Sequence, residues 1–103
     1  MEEINVQELK AKMNNNEDFH LIDVREVYEY EEANIGAQLI PLGELVDHLD
    51  ELEAWKDEEI IIMCRSGQRS GTAQQFLQSK GFTNVFNLTG GILAWKEMEE
   101  EEE

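Results

Sequence analysis

Residues able to do chemistry are concentrated in one heptapeptide, Cys64-Arg65-Ser66-Gly67-Gln68-Arg69-Ser70, which holds the only cysteine of this 103-residue chain. Cys64 directly follows the most apolar run, Ile60-Ile61-Ile62-Met63, and between Ile60 and Ser79 the only charged residues are Arg65 and Arg69. A thiol attacks as its thiolate, and its pKa falls from about 8.5 toward roughly 3.5–7.5 beside positive charge or a helix N-terminus. Ser66 and Gly67 are small enough for the backbone to curl, so that successive N–H groups converge into an anion cradle with a helix dipole behind it. Such a loop suits a thiolate, a persulfide or a bound oxyanion. An isolated cysteine at a strand end is more often a buried small hydrophobe. The arginine pair, the Ser-Gly turn and the strand-to-helix position together favour the reactive reading.

The elements that must position this loop are read from apolar spacing. Asn5 caps a first helix, with Glu8 placed to reach back and Val6, Leu9 and Met13 on one face, ending near residues 14–16. Residues 19–24 read as a buried strand, 26–32 as a short helix and 38–40 as a strand stopped by Pro41. Leu42, Leu45, Val46, Leu49 and Leu52 repeat at helical spacing. Residues 60–63 form the central strand. Ala73, Phe76 and Leu77 mark a helix closed at Lys80-Gly81, with Gly81 in the left-handed conformation. Residues 85–88 are another strand, and after Gly90-Gly91 comes a helix carrying Ile92, Leu93 and Trp95. Alternating short strands and helices predict an α/β fold, a mostly parallel sheet covered on both faces, with sites beyond the carboxyl ends of its strands.

With the elements in order, the heptapeptide resembles the C-R-x-G-x-R-S loop of rhodanese-like sulfurtransferases. Leu21-Ile22-Asp23-Val24-Arg25-Glu26, residues 35–42 (Ile35-Gly36-Ala37 through Ile40-Pro41-Leu42) and residues 88–95 (Leu88-Thr89-Gly90-Gly91 through Trp95) are similar to that family's other signatures, in the same order. The resemblance spans about residues 4–97. It implies a five-stranded parallel sheet flanked by helices, and hence a further strand near Ile4. It also implies the reaction, in which the Cys64 thiolate takes the outer sulfur of thiosulfate or a similar donor and passes it from a persulfide to a nucleophilic acceptor. One departure is Ala33-Asn34-Ile35 where the family often has Gly-His-Ile; Asn34 can both donate and accept hydrogen bonds as a histidine would.

Ring size separates this reading from cysteine phosphatases and arsenate reductases. Those use C-x5-R, whereas Cys64 to Arg69 is C-x4-R, a tighter ring that suits one sulfur atom better than a tetrahedral phosphoryl group. Arg65, Ser66, Gly67, Gln68, Arg69 and Ser70 are the expected donor-binding residues. Asp23 and Arg25 either orient this loop from a neighbouring strand end or form a structural ion pair. His20 and His48 lack metal-site spacing, so neither a metal nor any other cofactor is expected. Trp55 and Trp95 read as packing residues, and Gly90-Gly91 as a tight helix entry.

Composition narrows the partners. Twenty-four acidic against eight basic residues give a formal charge of -16, which repels nucleic acid and anionic membranes. The expected partners are a small sulfur donor, thiosulfate or a persulfide, and an external thiol, cyanide or protein acceptor, since one cysteine leaves no second thiol to resolve the persulfide. One cysteine and an N-terminus without a basic start or apolar stretch predict a reducing, cytoplasmic location. Residues 1–97 are expected to form one rhodanese-like domain, and the glutamate-rich residues 98–103 a disordered acidic tail. A protein-binding or sulfur-carrier module on the same fold, without efficient turnover, is the alternative from another functional class.

Overall fold

The computed structural model describes residues 2–102. Its sheet has five parallel strands in the order β1 (Glu3–Ile4), β5 (Val85–Leu88), β4 (Ile60–Met63), β2 (His20–Asp23) and β3 (Gln38–Leu39). The strand implied near Ile4 is present, paired with β5 in the register Ile4 to Leu88. Helices α1 (Val6–Asn14), α2 (Val27–Glu32), α4 (Gln68–Ser79) and α5 (Gly91–Glu101) follow strands, and a short helical turn α3 (Leu49–Leu52) precedes β4.

β4 lies at the centre because it is apolar on both faces. Ile60, Ile62 and Cys64 enter one core with Leu45, Leu52, Ala73 and Leu77, while Ile61 and Met63 enter the other with Leu9, Ile92 and Trp95. Alternate side chains of a strand point to opposite sides, so an unbroken apolar run demands cover on both. The four residues of β4 are fully buried.

Local capping follows the sequence signals. The Asn5 side chain accepts from the Glu8 N–H at 2.8 Å while Glu8 accepts from the Asn5 N–H at 3.0 Å, a complete capping box. Gly81 takes φ +93° after α4, the left-handed stop expected there. Asn34 donates to the Tyr30 carbonyl and accepts from the Gly36 N–H, both at 3.0 Å, so it closes the turn before β3.

One expectation is corrected. The helix read from Leu42 onward is not one α-helix: residues Leu42–His48 and Glu53–Trp55 are 3-10 turns on either side of α3. Gly43 and the weak helix formers Asp47 and His48 disfavour a continuous α-helix, and spacings of three between Leu42 and Leu45 and among Leu49, Leu52 and Trp55 fit the three-residue turn. All five pack on the same core. Of the tail expected over residues 98–103, residue 103 lies outside the described residues; before it, α5 continues through Glu101, Met98 is buried, and Lys10 pairs with Glu102 at 2.8 Å. Met98 lies three residues after Trp95 on the packed face of α5, so an apolar anchor inside the acidic run carries the helix on. Among the described residues, no helix is long and apolar enough to cross a membrane.

This arrangement predicts that Met98→Ala lowers unfolding stability by about 2 kcal/mol, the low end for truncating a buried methionine, whereas Glu100→Ala stays within about 0.5 kcal/mol. Urea denaturation checks both; a Met98→Ala effect as small as that of Glu100→Ala would mean that residues 98–101 do not pack.

Candidate active site

Cys64 directly follows β4 and is 1% exposed. The chain must then turn out of the sheet and into α4 within three residues, and Gly67 makes this possible with φ +108°, a conformation that side chains resist. The turn brings the Gly67 N–H to 3.0 Å from Cys64 Sγ and the Ser70 hydroxyl to 3.3 Å. Burial pushes the thiol pKa up, but hydrogen bonds from the Ser70 hydroxyl and from the backbone of Ser70, Gly67 and Ser66 outweigh it and leave the pKa below the ordinary thiol value. The oriented Gly67 N–H therefore favours the thiolate form of Cys64, and the single Ser70 hydroxyl proton can point either to Sγ or to Asn87 Oδ1.

The loop is braced from two directions. Asn87, buried in β5, accepts the Ser70 hydroxyl hydrogen bond at 2.5 Å and donates to the Gly67 carbonyl at 3.0 Å, tying both ends of the turn. The first turn of α5 supplies the second brace, with the Ile92 N–H donating to the Cys64 carbonyl at 3.0 Å and the Leu93 N–H to the Arg65 carbonyl at 3.2 Å. This approach needs Gly91: a Cβ there would lie 2.4 Å from the Cys64 oxygen and 2.5 Å from the Arg65 oxygen, and its φ is +53°. The Gly90-Gly91 pair is a tight helix entry set by the loop.

The arginines are arranged differently from a simple cationic island. Arg69 gives both arms of its guanidinium to Glu29, at 2.7 and 2.9 Å. That bond to Arg69 holds the Glu29 carboxyl down at about 2, against the opposing effect of burial. Arg25 pairs with Asp23 at 2.8 Å inside the protein, and its remaining donors reach the carbonyls of Ala33 and Glu29. Asp23 and Arg25 pair with each other, Arg25 also reaching α2 through the Glu29 carbonyl, and among the described residues neither hydrogen-bonds a residue of the loop. Arg65 is exposed and has no ion-pair partner among the described residues. Ser66 and Gln68 are exposed on the loop.

A cleft of about 90 Å³ beside the loop is lined by Arg25, Glu29, Glu32, Arg65, Leu93 and Lys96, among others. A larger cavity of about 520 Å³, lined by Asp18, Phe19, His20, Glu58 and Glu59, lies at the amino ends of β2 and β4, opposite Cys64, and has no side-chain thiol or hydroxyl in its lining. His20 stacks on Trp55 with ring centres 3.8 Å apart and bonds Glu58 at 2.7 Å, a packing role for both rings.

Three residues important here were not singled out as site residues in the sequence: Asn87, Glu29 and Gly91. Asn87 carried a signal, being the one polar residue in the strand Val85-Phe86-Asn87-Leu88. Glu29 carried none, since nothing marks one glutamate among many as the partner of an arginine forty positions away.

A buried cysteine cradled at the carboxyl edge of a five-stranded parallel sheet defines a class of α/β proteins by fold and by the place of the thiol. Within it, this chain belongs to the rhodanese-like domain family, which matches residues 5–98. It is 35% identical over 94 residues to a protein of Allochromatium vinosum named sulfurtransferase, covering 90% of this chain and 86% of that one. The Bacillus subtilis protein YrkF, named as a candidate sulfur carrier protein, is 39% identical over 94 residues, covering 90% of this chain, which spans half of that protein's length. The crystal structure of a rhodanese-like domain protein from Staphylococcus aureus superposes with a TM-score of 0.84 at 32% identity, covering 92% of this chain and 91% of that one.

If the hydrogen bonds to Sγ set its acidity, Ser70→Ala raises the Cys64 pKa. The pH profile of iodoacetamide alkylation shows this as an inflection moved toward the ordinary thiol value; an unmoved inflection would assign thiolate stabilisation to the other groups.

Proposed function

We propose that the chain transfers sulfane sulfur through a persulfide on Cys64. The observation that carries this reading is the cradle itself, a buried sulfur at a strand end receiving the Gly67 N–H at 3.0 Å with the Ser70 hydroxyl at 3.3 Å. The Cys64 thiolate attacks the outer sulfur of thiosulfate; the sulfur–sulfur bond of the donor breaks, and sulfite leaves with its electron pair. The persulfide anion then occupies the cradle, where the converging N–H groups replace water. A persulfide donor reacts in the same sense, its terminal sulfur moving to Cys64 and its thiolate departing. An external thiol or cyanide next attacks the outer sulfur, and Cys64 returns as thiolate. The loop Arg65–Ser70 is the donor-binding surface, through its backbone and through Arg65, Ser66, Gln68 and Ser70; Arg69 contributes while tied to Glu29. The acceptor is external because the sequence has one cysteine, and such a thiol suits a reducing compartment such as the cytoplasm.

The carrier reading is favoured by one observation, the half-length match to a protein named as a candidate sulfur carrier. It shares the persulfide and differs in turnover. The tight four-residue interval between Cys64 and Arg69, together with the engagement of Arg69 by Glu29, argues against a phosphoryl group in the loop.

Thiosulfate is expected to add the mass of one sulfur atom to the intact protein, and Cys64→Ser to abolish the gain. Addition of cyanide then releases thiocyanate repeatedly if the protein turns over and once per loaded site if it is a carrier. Hydrolysis of an aryl phosphate without any sulfur adduct from thiosulfate or persulfides would overturn the reading.

A further inference from the structure

The rim of the Cys64 loop is less positive than its arginines suggest. Arg25 is cancelled by Asp23 and Arg69 by Glu29, which leaves Arg65 and Lys96, with Glu32, as the other charged residues lining the cleft. Glu29 is not free to swing away. Its Oε1 accepts from Arg69 Nη1 at 2.7 Å and from the Glu26 N–H at 3.0 Å, and its Oε2 accepts from Arg69 Nη2 at 2.9 Å. A guanidinium whose two-pronged face is already filled by a carboxylate cannot offer that face to a second oxyanion. The Glu29 carboxyl, held at about 2 by Arg69, also stays ionised throughout any neutral or mildly acidic assay. Beside this neutralised fork lies exposed apolar surface: Val27 is 52% and Tyr28 70% exposed on the helix that carries Glu29, and Leu93 is 42% exposed on the wall of the cleft.

We propose that Glu29 is a specificity-determining residue, which by cancelling Arg69 at the loop rim makes the site favour sulfane donors with an organic group and one negative charge over the thiosulfate dianion. The inference rests on the reading of Cys64 as the sulfur acceptor. Thiosulfate and methanethiosulfonate isolate the variable, since the second replaces one charged oxygen by a methyl group. Both give up the same atom: the Cys64 thiolate bonds to the outer sulfur, the donor's sulfur–sulfur bond breaks, and sulfite or methanesulfinate departs with the bonding pair. Only the charge and the apolar end differ.

The test measures kcat/KM for each donor with cyanide as acceptor, in the wild-type chain and in Glu29→Gln, which keeps an acceptor for Arg69 but removes the charge. Methanethiosulfonate is expected to be the better donor for the wild type. Glu29→Gln should raise kcat/KM for thiosulfate roughly three- to tenfold, the effect of one charge a few ångströms away at a wet protein surface, and raise methanethiosulfonate less, so that the preference shrinks. Wild-type thiosulfate rates should also climb more steeply with added sodium chloride than methanethiosulfonate rates, as screening weakens repulsion. An unchanged donor ratio in Glu29→Gln, or an equal fall on both donors, would make Glu29 a structural brace and overturn the proposal. Should the variant fail to fold, the wild-type salt slopes decide, and equal slopes overturn it. Absence of a sulfur adduct from either donor on the wild type is a different failure, that of the persulfide reading itself.

Discussion

The site depends on holding a buried sulfur among hydrogen-bond donors that favour its charged form. Burial at the end of β4 raises the cost of a thiolate, and the structure offsets that cost with hydrogen-bond donors fixed before any substrate arrives. The loop that carries the donors is held by further attachments. Ser70 is held by Asn87, the carbonyl of Gly67 is held by the same asparagine, and the carbonyls of Cys64 and Arg65 are held by the first turn of α5. The sheet places β5 next to β4, so Asn87 stands beside the turn it braces.

Charge is managed in the same manner. In a chain of net charge -16, arginines near the loop could have remained free to draw in anions. Two of the three are instead committed to carboxylates on β2 and α2. Arg25 pairs with the end of β2 and hydrogen-bonds the Glu29 carbonyl of α2, and Arg69 joins the Cys64 loop to that same helix. α2 therefore connects to the loop through an ion pair and to the strand end through a backbone hydrogen bond, while Arg65 remains exposed.

Much of this was legible in the chain. The heptapeptide stood out because it combines the only cysteine with the only charges over a twenty-residue stretch, and strand-to-helix alternation located it at a sheet's carboxyl edge. The capping box at Asn5 and the stop at Gly81 are local events, written in adjacent residues. What escaped is non-local or context-bound. Glu29 and Arg69 meet through the fold, as do Asn87 and Ser70, so neither pairing leaves a pattern along the sequence. The segment from Leu42 has spacing compatible with more than one helical form, and its packing selects 3-10 turns. The acidic end looked disordered by composition, yet Met98 packs on the core and Lys10 pairs with Glu102.

The glycine at position 91 has one more consequence, which concerns how such sites can be recognised or moved. Because the carbonyls of Cys64 and Arg65 receive their hydrogen bonds from a helix that begins at Gly91, the shape of the loop is a joint property of two segments more than twenty residues apart. The seven letters from Cys64 to Ser70 are not portable by themselves. Grafted onto another strand-helix junction without a companion glycine turn, they would spell the motif and lack the pocket.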